Sequence, residues 1–463
     1  MLLIYNARLV DKNTDKKGAV LISGKKIVSV LAPADAKEYI EKNKFFIFSL
    51  TGELLKKQIT STAKNASVLF VYDAKGLTLM PSFVDMHSHF RDPGFTQKED
   101  IGSGCKAAAA GGYGTVVCMP NTSPVISSEE QAELNDKKAE ELNIVQLIQS
   151  VSITKNFDGK DVSHISKLNE KKVPLISEDG HEVESASVML SGMKEAAKKK
   201  IIVSCHCEDP TLAVSAKPFR KEALELLAKS NTKDSKKKAA ELLSKANTLL
   251  ELAEDTATFR NIRLAEDAHC HLHLCHVSTA SCIEAVRLAK KNGDNLTCEI
   301  TPHHLALDGT KAPNIFNIVN PPLRSEKDRL SLLEALKDGT ADVIATDHAP
   351  HTVEDKASGS PGFTGLETSF AVCNTELVCK KIITIKKLSA LLSSNPAEIL
   401  GLKNRGLIKE NYAADLVLVD SNAKWKVDSG KFFSKGKYSP FNGKTLTGKV
   451  KATIFNGKFI FAE

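Results

Sequence analysis

The sequence predicts an α/β chain: a (β/α)8 TIM-type barrel joined to a small β domain built from both termini. Two observations predict it. Both ends of the chain read as short, turn-punctuated β runs, whereas the middle alternates short apolar runs with helix-like stretches. Eight of those middle runs are present, the number a closed parallel barrel needs.

The N-terminal part, expected over residues 1–73, opens with the run Leu2–Leu9. The run Ala19–Ile22, the turn Ser23-Gly24-Lys25-Lys26 and the run Ile27–Val30 follow. The C-terminal part, expected over 404–463, holds Ala414–Asp420, then Lys449–Phe455, Asn456-Gly457 and Lys458–Phe461. Asn-Gly between two such runs is a strong hairpin signal. The barrel is expected over 74–403, with strands at Leu79–Val84, Thr115–Met119, Ile144–Val151, Val173–Ile176, Ile201–Cys205, His271–Cys275, Leu296–Ile300 and Val343–Ala345. Two stretches read as insertions: a polar one from Lys37 to Asn65, and a Lys/Ala/Leu-rich one from Lys217 to Leu252 that is expected to be helical.

Composition bounds the partners. The chain has 463 residues, 42% hydrophobic and 26% charged, an ordinary globular balance. Its net charge of +7 sits largely in stretches such as Lys233–Lys245, which alternate with Ala, Leu and Glu and read as a solvated helix face, so no nucleic-acid partner is expected. No apolar run is long enough for a membrane span, and the N-terminus does not read as a signal peptide. Ten cysteines without a Cys-x-x-Cys pair read as reduced thiols of a cytoplasmic protein.

Chemistry collects where the strands end. Reactive side chains of such barrels lie at the C-terminal ends of the strands. The first strand runs into His87-Ser88-His89, with Arg91 two residues on. Side chains alternate along a strand, so His87 and His89 share a direction. Two imidazoles can grip one metal ion, and an arginine beside them can hold an anion, which points to a metal-dependent enzyme acting on a carboxylate. A lone His-x-His could equally be a surface pair. The other strand ends supply more: Met119-Pro120-Asn121-Thr122, Ser177-Glu178-Asp179-Gly180, Cys205-His206-Cys207-Glu208-Asp209, Cys275-His276-Val277-Ser278 and Thr346-Asp347-His348-Ala349-Pro350-His351. Four histidines and two aspartates therefore reach one rim. That donor mix suits Zn²⁺ best, with Mn²⁺ or Co²⁺ as substitutes.

Alternation sorts neighbours. If Leu272 and Leu274 face the barrel core, His276 shares their face, and His271 and His273 become partners of the surrounding helices. Val343, Ala345 and Asp347 share a face from which His348 points away. Cys205 and Cys207 have the parity opposite to His206 and read as core packing.

The segment from His87 through Pro124 resembles the dihydroorotase branch of the amidohydrolase superfamily. So do HCEDP at His206, CHVST at Cys275, PHH at Pro302, NPPLRSEKDR at Asn320 and ATDHAPHT at Ala345. The resemblance implies a zinc enzyme with one or two ions per subunit: His87, His89 and Asp347 on the more buried ion, His206 and His276 on the second. Many relatives bridge the ions with a carboxylated lysine. The fourth strand here ends without a lysine, which is similar to an aspartate-bridged subgroup, with Asp179 as the bridge and Glu178 as the alternative. Asp347 would be the catalytic proton carrier. Arg91, with Asn121 and His351, would hold a substrate carboxylate; Asn320 would meet the ring edge, and Pro361-Gly362 would offer backbone hydrogen bonds, although Pro361 has no N–H to give. The implied reaction is the reversible cyclisation of N-carbamoyl-L-aspartate to L-dihydroorotate in pyrimidine (UMP) biosynthesis. Another cyclic amidohydrolase such as an allantoinase, or an inactive scaffold, is the competing reading. A homodimer and an aspartate transcarbamoylase partner are the assemblies that the resemblance suggests.

Overall fold

The computed structural model describes residues 1–43, 69–229, 232–310 and 317–463 in full, and residues 47–49 by their backbone alone. Eight parallel strands close into a barrel in two arcs. One arc pairs Phe83–Ser88, Tyr113–Cys118 and Gln146–Gln149. The other pairs Val151–Ser152, Leu175–Ser177, Ile202–Cys205, Leu272–Leu274, Leu296–Ile300 and Val343–Ile344. The expected third strand is thus present but interrupted at Ser150, and its two pieces belong to the two arcs. Strands eight and one meet through the parallel bridge Ser88–His348 and the bond from His89 N to His348 O at 2.8 Å. The Asp85 carboxylate completes this seam, accepting from Thr346 N at 2.8 Å and from Thr346 Oγ1 at 2.5 Å.

The termini assemble one mixed sheet, in the order Lys458–Ala462, Thr445–Phe455, Leu416–Lys426, Thr78–Pro81, Leu2–Val10, Asp15–Ser23, Lys26–Leu31. The Asn456-Gly457 turn takes positive φ at both residues, the conformation that a tight hairpin requires. One expectation needs correction. Leu79–Val84 is not one strand: Thr78–Pro81 pairs with Leu2–Val10 and Leu416–Lys426, and the barrel strand begins only at Phe83. The terminal sheet therefore continues past residue 73, because Ser82 donates its N–H to Asp415 O and leaves the chain to change sheets there. Of the polar stretch from Lys37 to Asn65, Pro33–Lys42 covers the start as a helix, and residues 44–46 and 50–68 lie outside the described residues. The Lys217–Leu252 stretch lies in two packed helices, Pro210–Lys229 and Lys233–Ala268. Ala216 meets Ala246 and Leu250, and Ala223 meets Ala239 and Leu242, so the pair is antiparallel; Lys236, Lys237 and Lys238 are exposed, as a solvated face requires. No described helix is long and apolar enough to cross a membrane.

The barrel interior is divided. Val84, Met86, Val117, Met119, Ile148, Leu175, Ile202, Val343 and Ala345 fill one part as a single apolar cluster. Strands six and seven instead send Leu272, Leu274, Leu296, Cys298 and Ile300 outward to the layer shared with Cys282, Ile283 and Val286 of the helix Ala280–Asn292. Period-2 alternation then turns His273, Thr297 and Glu299 inward.

The seam gives a stability test. Replacing Asp85 with Ala leaves the buried Thr346 N–H without its acceptor and should cost about 2–4 kcal/mol, read as a lower urea midpoint. A midpoint equal to that of the parent would show that Asp85 does not close the barrel.

Candidate metal centre and active site

Six side chains converge at the C-terminal rim, each at most 6% exposed: His87, His89, Asp179, His206, His276 and Asp347. The Asp179 carboxylate lies among all four imidazoles. Its Oδ1 is 3.3 Å from His87 Nε2, 3.4 Å from His206 Nδ1 and 3.9 Å from His276 Nε2, and its Oδ2 is 3.6 Å from His89 Nε2. Asp347 Oδ1 stands 3.2 Å from His89 Nε2 and 3.8 Å from His87 Nε2. Two ligand triads result, His87–His89–Asp179 and Asp179–His206–His276, and they share Asp179.

The strand ends deliver these groups through local irregularities. Register against Tyr113–Cys118 shifts between Asp85 and Ser88, which re-aims the end of the first strand. His276 lies past the end of Leu272–Leu274 with φ +33°, and Asp347 and Arg91 take φ +46° and +59°. Non-glycine residues in this region cost on the order of 1 kcal/mol or more, a strain that clusters at functional sites.

The donor set fits a divalent metal. His87 Nε2 and Asp179 Oδ1 are enclosed without a hydrogen-bond partner among the described residues, an arrangement too costly for buried polar atoms unless a cation fills it. His87 Nδ1 is held by Glu299 Oε1 at 2.9 Å, which fixes the ring with Nε2 free toward the site. Burial alone would raise the Asp179 and Asp347 carboxyls. For Asp179 the electrostatic pull of His87 and of the other close imidazoles outweighs it; for Asp347 the contact with His89 and the neighbouring imidazoles do so. Both stay ionised. Cys275 also lies near His87 and Glu299, but burial pushes its thiol up to about 11, so it is a neutral neighbour.

Beside the triads, Arg91 is partly exposed, but its Nε is buried and has no partner among the described residues. Its Nη2 lies 3.4 Å from His351 Nε2. Burial, then Arg91, pulls His351 down to about 3, so this ring is neutral, and its Nε2 donates to Pro361 O at 2.8 Å.

Several expectations change. Asn121 also serves the metal ligands: its Oδ1 faces His89 Nδ1 at 3.0 Å and its Nδ2 donates to Asp179 Oδ2 at 2.9 Å, so it orients both side chains. Gly362 N donates to Ile318 O and Gly362 O accepts from Lys356, which leaves the Pro361-Gly362 pair no free backbone donor. Glu178 turns away to the N–H groups of Ile153 and Thr154, leaving Asp179 alone toward the histidines. Asn320 Oδ1 accepts from Arg220 at 2.7 Å. The Leu272/Leu274 condition fails, since both face outward. His273 lies inside the barrel, with Nε2 3.1 Å from Glu299 Oε2 and Nδ1 2.8 Å from Thr297 Oγ1, and His271 Nε2 reaches the same hydroxyl at 2.9 Å. His276 still enters the site because its positive φ breaks the alternation. His348 does point away, to Glu99 Oε2 at 3.3 Å, and Cys205 and Cys207 lie in the apolar layer. Sequence reasoning missed Glu299; its shared parity with Thr297 along the seventh strand was the available signal.

This barrel, with histidine–carboxylate triads at its C-terminal rim, defines the class of metal-dependent amide hydrolases. The amidohydrolase family model matches residues 78–460. A dihydroorotase of Clostridium botulinum is 37% identical over 463 residues, covering 100% of both chains. Dihydroorotases of Caldanaerobacter subterraneus and Bacillus subtilis are 40% and 38% identical, covering 86% and 85% of this chain and 90% and 89% of theirs. The chain belongs to the amidohydrolase family and, within it, to the dihydroorotases. Among solved structures, an L-hydantoinase of Arthrobacter aurescens superposes with a TM-score of 0.80 at 23% identity, covering 100% of this chain and 96% of that one. A D-hydantoinase of a Thermus species gives 0.78 at 21%, covering 99% and 95%. At those identities the likeness is one of fold.

The Glu299 contact yields an expectation. Glu299→Ala should weaken zinc binding about 10–100-fold while the protein stays folded, measured by competition with a chromophoric chelator. Unchanged affinity would remove Glu299 as the residue that orients His87.

Proposed function

We propose that this chain is a zinc-dependent dihydroorotase that reversibly cyclises N-carbamoyl-L-aspartate to L-dihydroorotate in pyrimidine synthesis, in the cytoplasm. The observation that carries the reading is the pair of triads sharing Asp179 beside Arg91, whose buried Nε has no partner among the described residues. In this reading His87, His89 and Asp347 would hold one ion and His206 and His276 the other, with Asp179 as the side chain that would be shared between them. When bound, such ions supply Lewis acidity for attack of water on a ring carbonyl.

The chain's own groups do the rest. Asp347, ionised and hydrogen-bonded to His89, accepts the proton of the attacking water and hands it to the leaving ring nitrogen. In the direction of cyclisation it takes the proton of the ureido nitrogen as that nitrogen closes onto the side-chain carboxyl group, and returns it to the oxygen whose bond to that carbon breaks, which leaves as water. Arg91 grips the carboxylate that remains outside the ring through charge-assisted hydrogen bonds. That carboxylate separates dihydroorotate from neutral cyclic amides such as allantoin. The substrate is a small molecule. A homodimer and an aspartate transcarbamoylase partner belong to the same reading and are tested by sedimentation with and without the transcarbamoylase.

Metal analysis of the purified protein, paired with dihydroorotate hydrolysis followed by ultraviolet absorbance, tests the reading. Turnover that disappears on chelation and returns with zinc supports it. Allantoin turnover without dihydroorotate turnover would replace it with the allantoinase reading, and neither metal nor activity after zinc loading would favour an inactive scaffold. Asp347→Asn should nearly abolish turnover in both directions with the fold intact; near-normal rates would exclude Asp347 as the proton carrier. Arg91→Met should raise KM for dihydroorotate about tenfold or more, from the loss of a charge-assisted contact. An unchanged KM would refute the carboxylate clamp.

A further inference from the structure

The inserted helix Pro210–Lys229 reaches the substrate side of the rim with two residues one turn apart. Arg220 donates from Nη1 to Asn320 Oδ1 at 2.7 Å and from Nη2 toward Val319 O at 3.5 Å. Residues at i and i+4 share a helix face, and Leu224 lies against Gly359 so closely that a Cβ there would stand 2.4 Å from Leu224 Cδ1. Gly359 takes φ +84° and begins the short loop that ends at Pro361 and Gly362, the former the acceptor of His351. One helix face thus touches both the Asn320 segment and the loop that seats His351. Lys356 joins the same two pieces from beneath, donating to Ile318 O at 3.1 Å and Gly362 O at 2.7 Å.

The direction of the Arg220 bond carries the consequence. A guanidinium only donates, so the Asn320 amide must present its oxygen to Arg220 and its NH2 group elsewhere. Asn320 is partly exposed, and its Nδ2 has no hydrogen-bond partner among the described residues. Arg220 in turn interacts with Glu208, whose carboxylate lies 3.9 Å from His206 Nε2, which ties this corner to the metal ligands. Burial lowers Arg220 to about 10, so it remains a cation at neutral pH.

We propose that Arg220 is a positioning and specificity-determining residue: it locks the Asn320 amide so that its NH2 donates to an acceptor on the edge of the bound ring. The inserted helix is then one wall of the substrate site. Rejection of a ring lacking that acceptor follows, because the locked donor would be buried without a partner. This inference rests on the dihydroorotase reading.

Steady-state kinetics with L-dihydroorotate on the zinc-loaded full chain tests it, comparing Arg220→Met, Asn320→Ala and the double variant, with zinc content measured in each. Arg220→Met should raise KM on the order of tenfold with kcat and zinc content little changed. Asn320→Ala should do the same, and the double variant should be no worse than either single one, because the two residues act as one unit. A wild-type KM in Arg220→Met, or effects that multiply in the double variant, would overturn the proposal. Should Arg220→Met fail to fold, Arg220→Lys serves: its ammonium lacks the planar fork that meets Asn320 Oδ1 and Val319 O from two separate nitrogens, so its KM should rise as well, and a wild-type value contradicts the proposal. A parent chain that does not turn over dihydroorotate removes the functional reading and this inference with it. An active parent whose KM is unmoved by both Arg220 variants removes the inference alone.

Discussion

One carboxylate organises the rim. Asp179 is buried among four imidazoles from three different strand ends, and its Oδ1 has no hydrogen-bond partner among the described residues. A buried anion of this kind is tolerated only when paired and oriented. Asn121 supplies the orientation, gripping Asp179 with one end of its amide and His89 with the other. The end of the fourth strand brings Asp179 within 3.9 Å of both histidine pairs.

The divided barrel interior explains how the site is held. Strands one to five and eight fill their share with aliphatic and methionine side chains, which exclude water and stabilise the closed sheet. Strands six and seven give up that packing and carry a column of polar side chains, His271, Thr297, His273 and Glu299, that ends on His87 Nδ1. Each buried polar group in the column has a partner, the condition under which such a network rigidifies a core instead of weakening it. The apolar share holds the barrel shut, and the polar share sets the direction of one ring.

Much of this was legible in the sequence, and the failures have a common cause. The eight runs and the terminal β pattern are periodic signals, and they survive as the barrel strands and the composite sheet. The six candidate ligands follow from their place after strands and from the family resemblance, and all six converge. Alternation went wrong where strands stop being regular: at Ser82, where the chain changes sheets; between Asp85 and Ser88; and at His276, whose left-handed backbone reverses its direction. The outward face of Leu272 and Leu274 was hidden because parity alone names two faces without saying which is inside. Asn121 and Gly362 were placed at the substrate by the family resemblance, and their contacts with Asp179 and Ile318 join segments far apart in the chain, which no local pattern shows. The insertion was legible as helical, but Arg220 was not, since nothing local marks which of its many cations turns inward.

The central claim is that Asp179 is shared by two ions. Electron paramagnetic resonance of the protein loaded with Mn²⁺, together with its metal stoichiometry, tests this most directly. Two ions per chain with an exchange-coupled spectrum are expected, and replacing Asp179 with Ala should abolish the coupling. A single ion, or two ions with the spectrum of isolated Mn²⁺, would contradict the account.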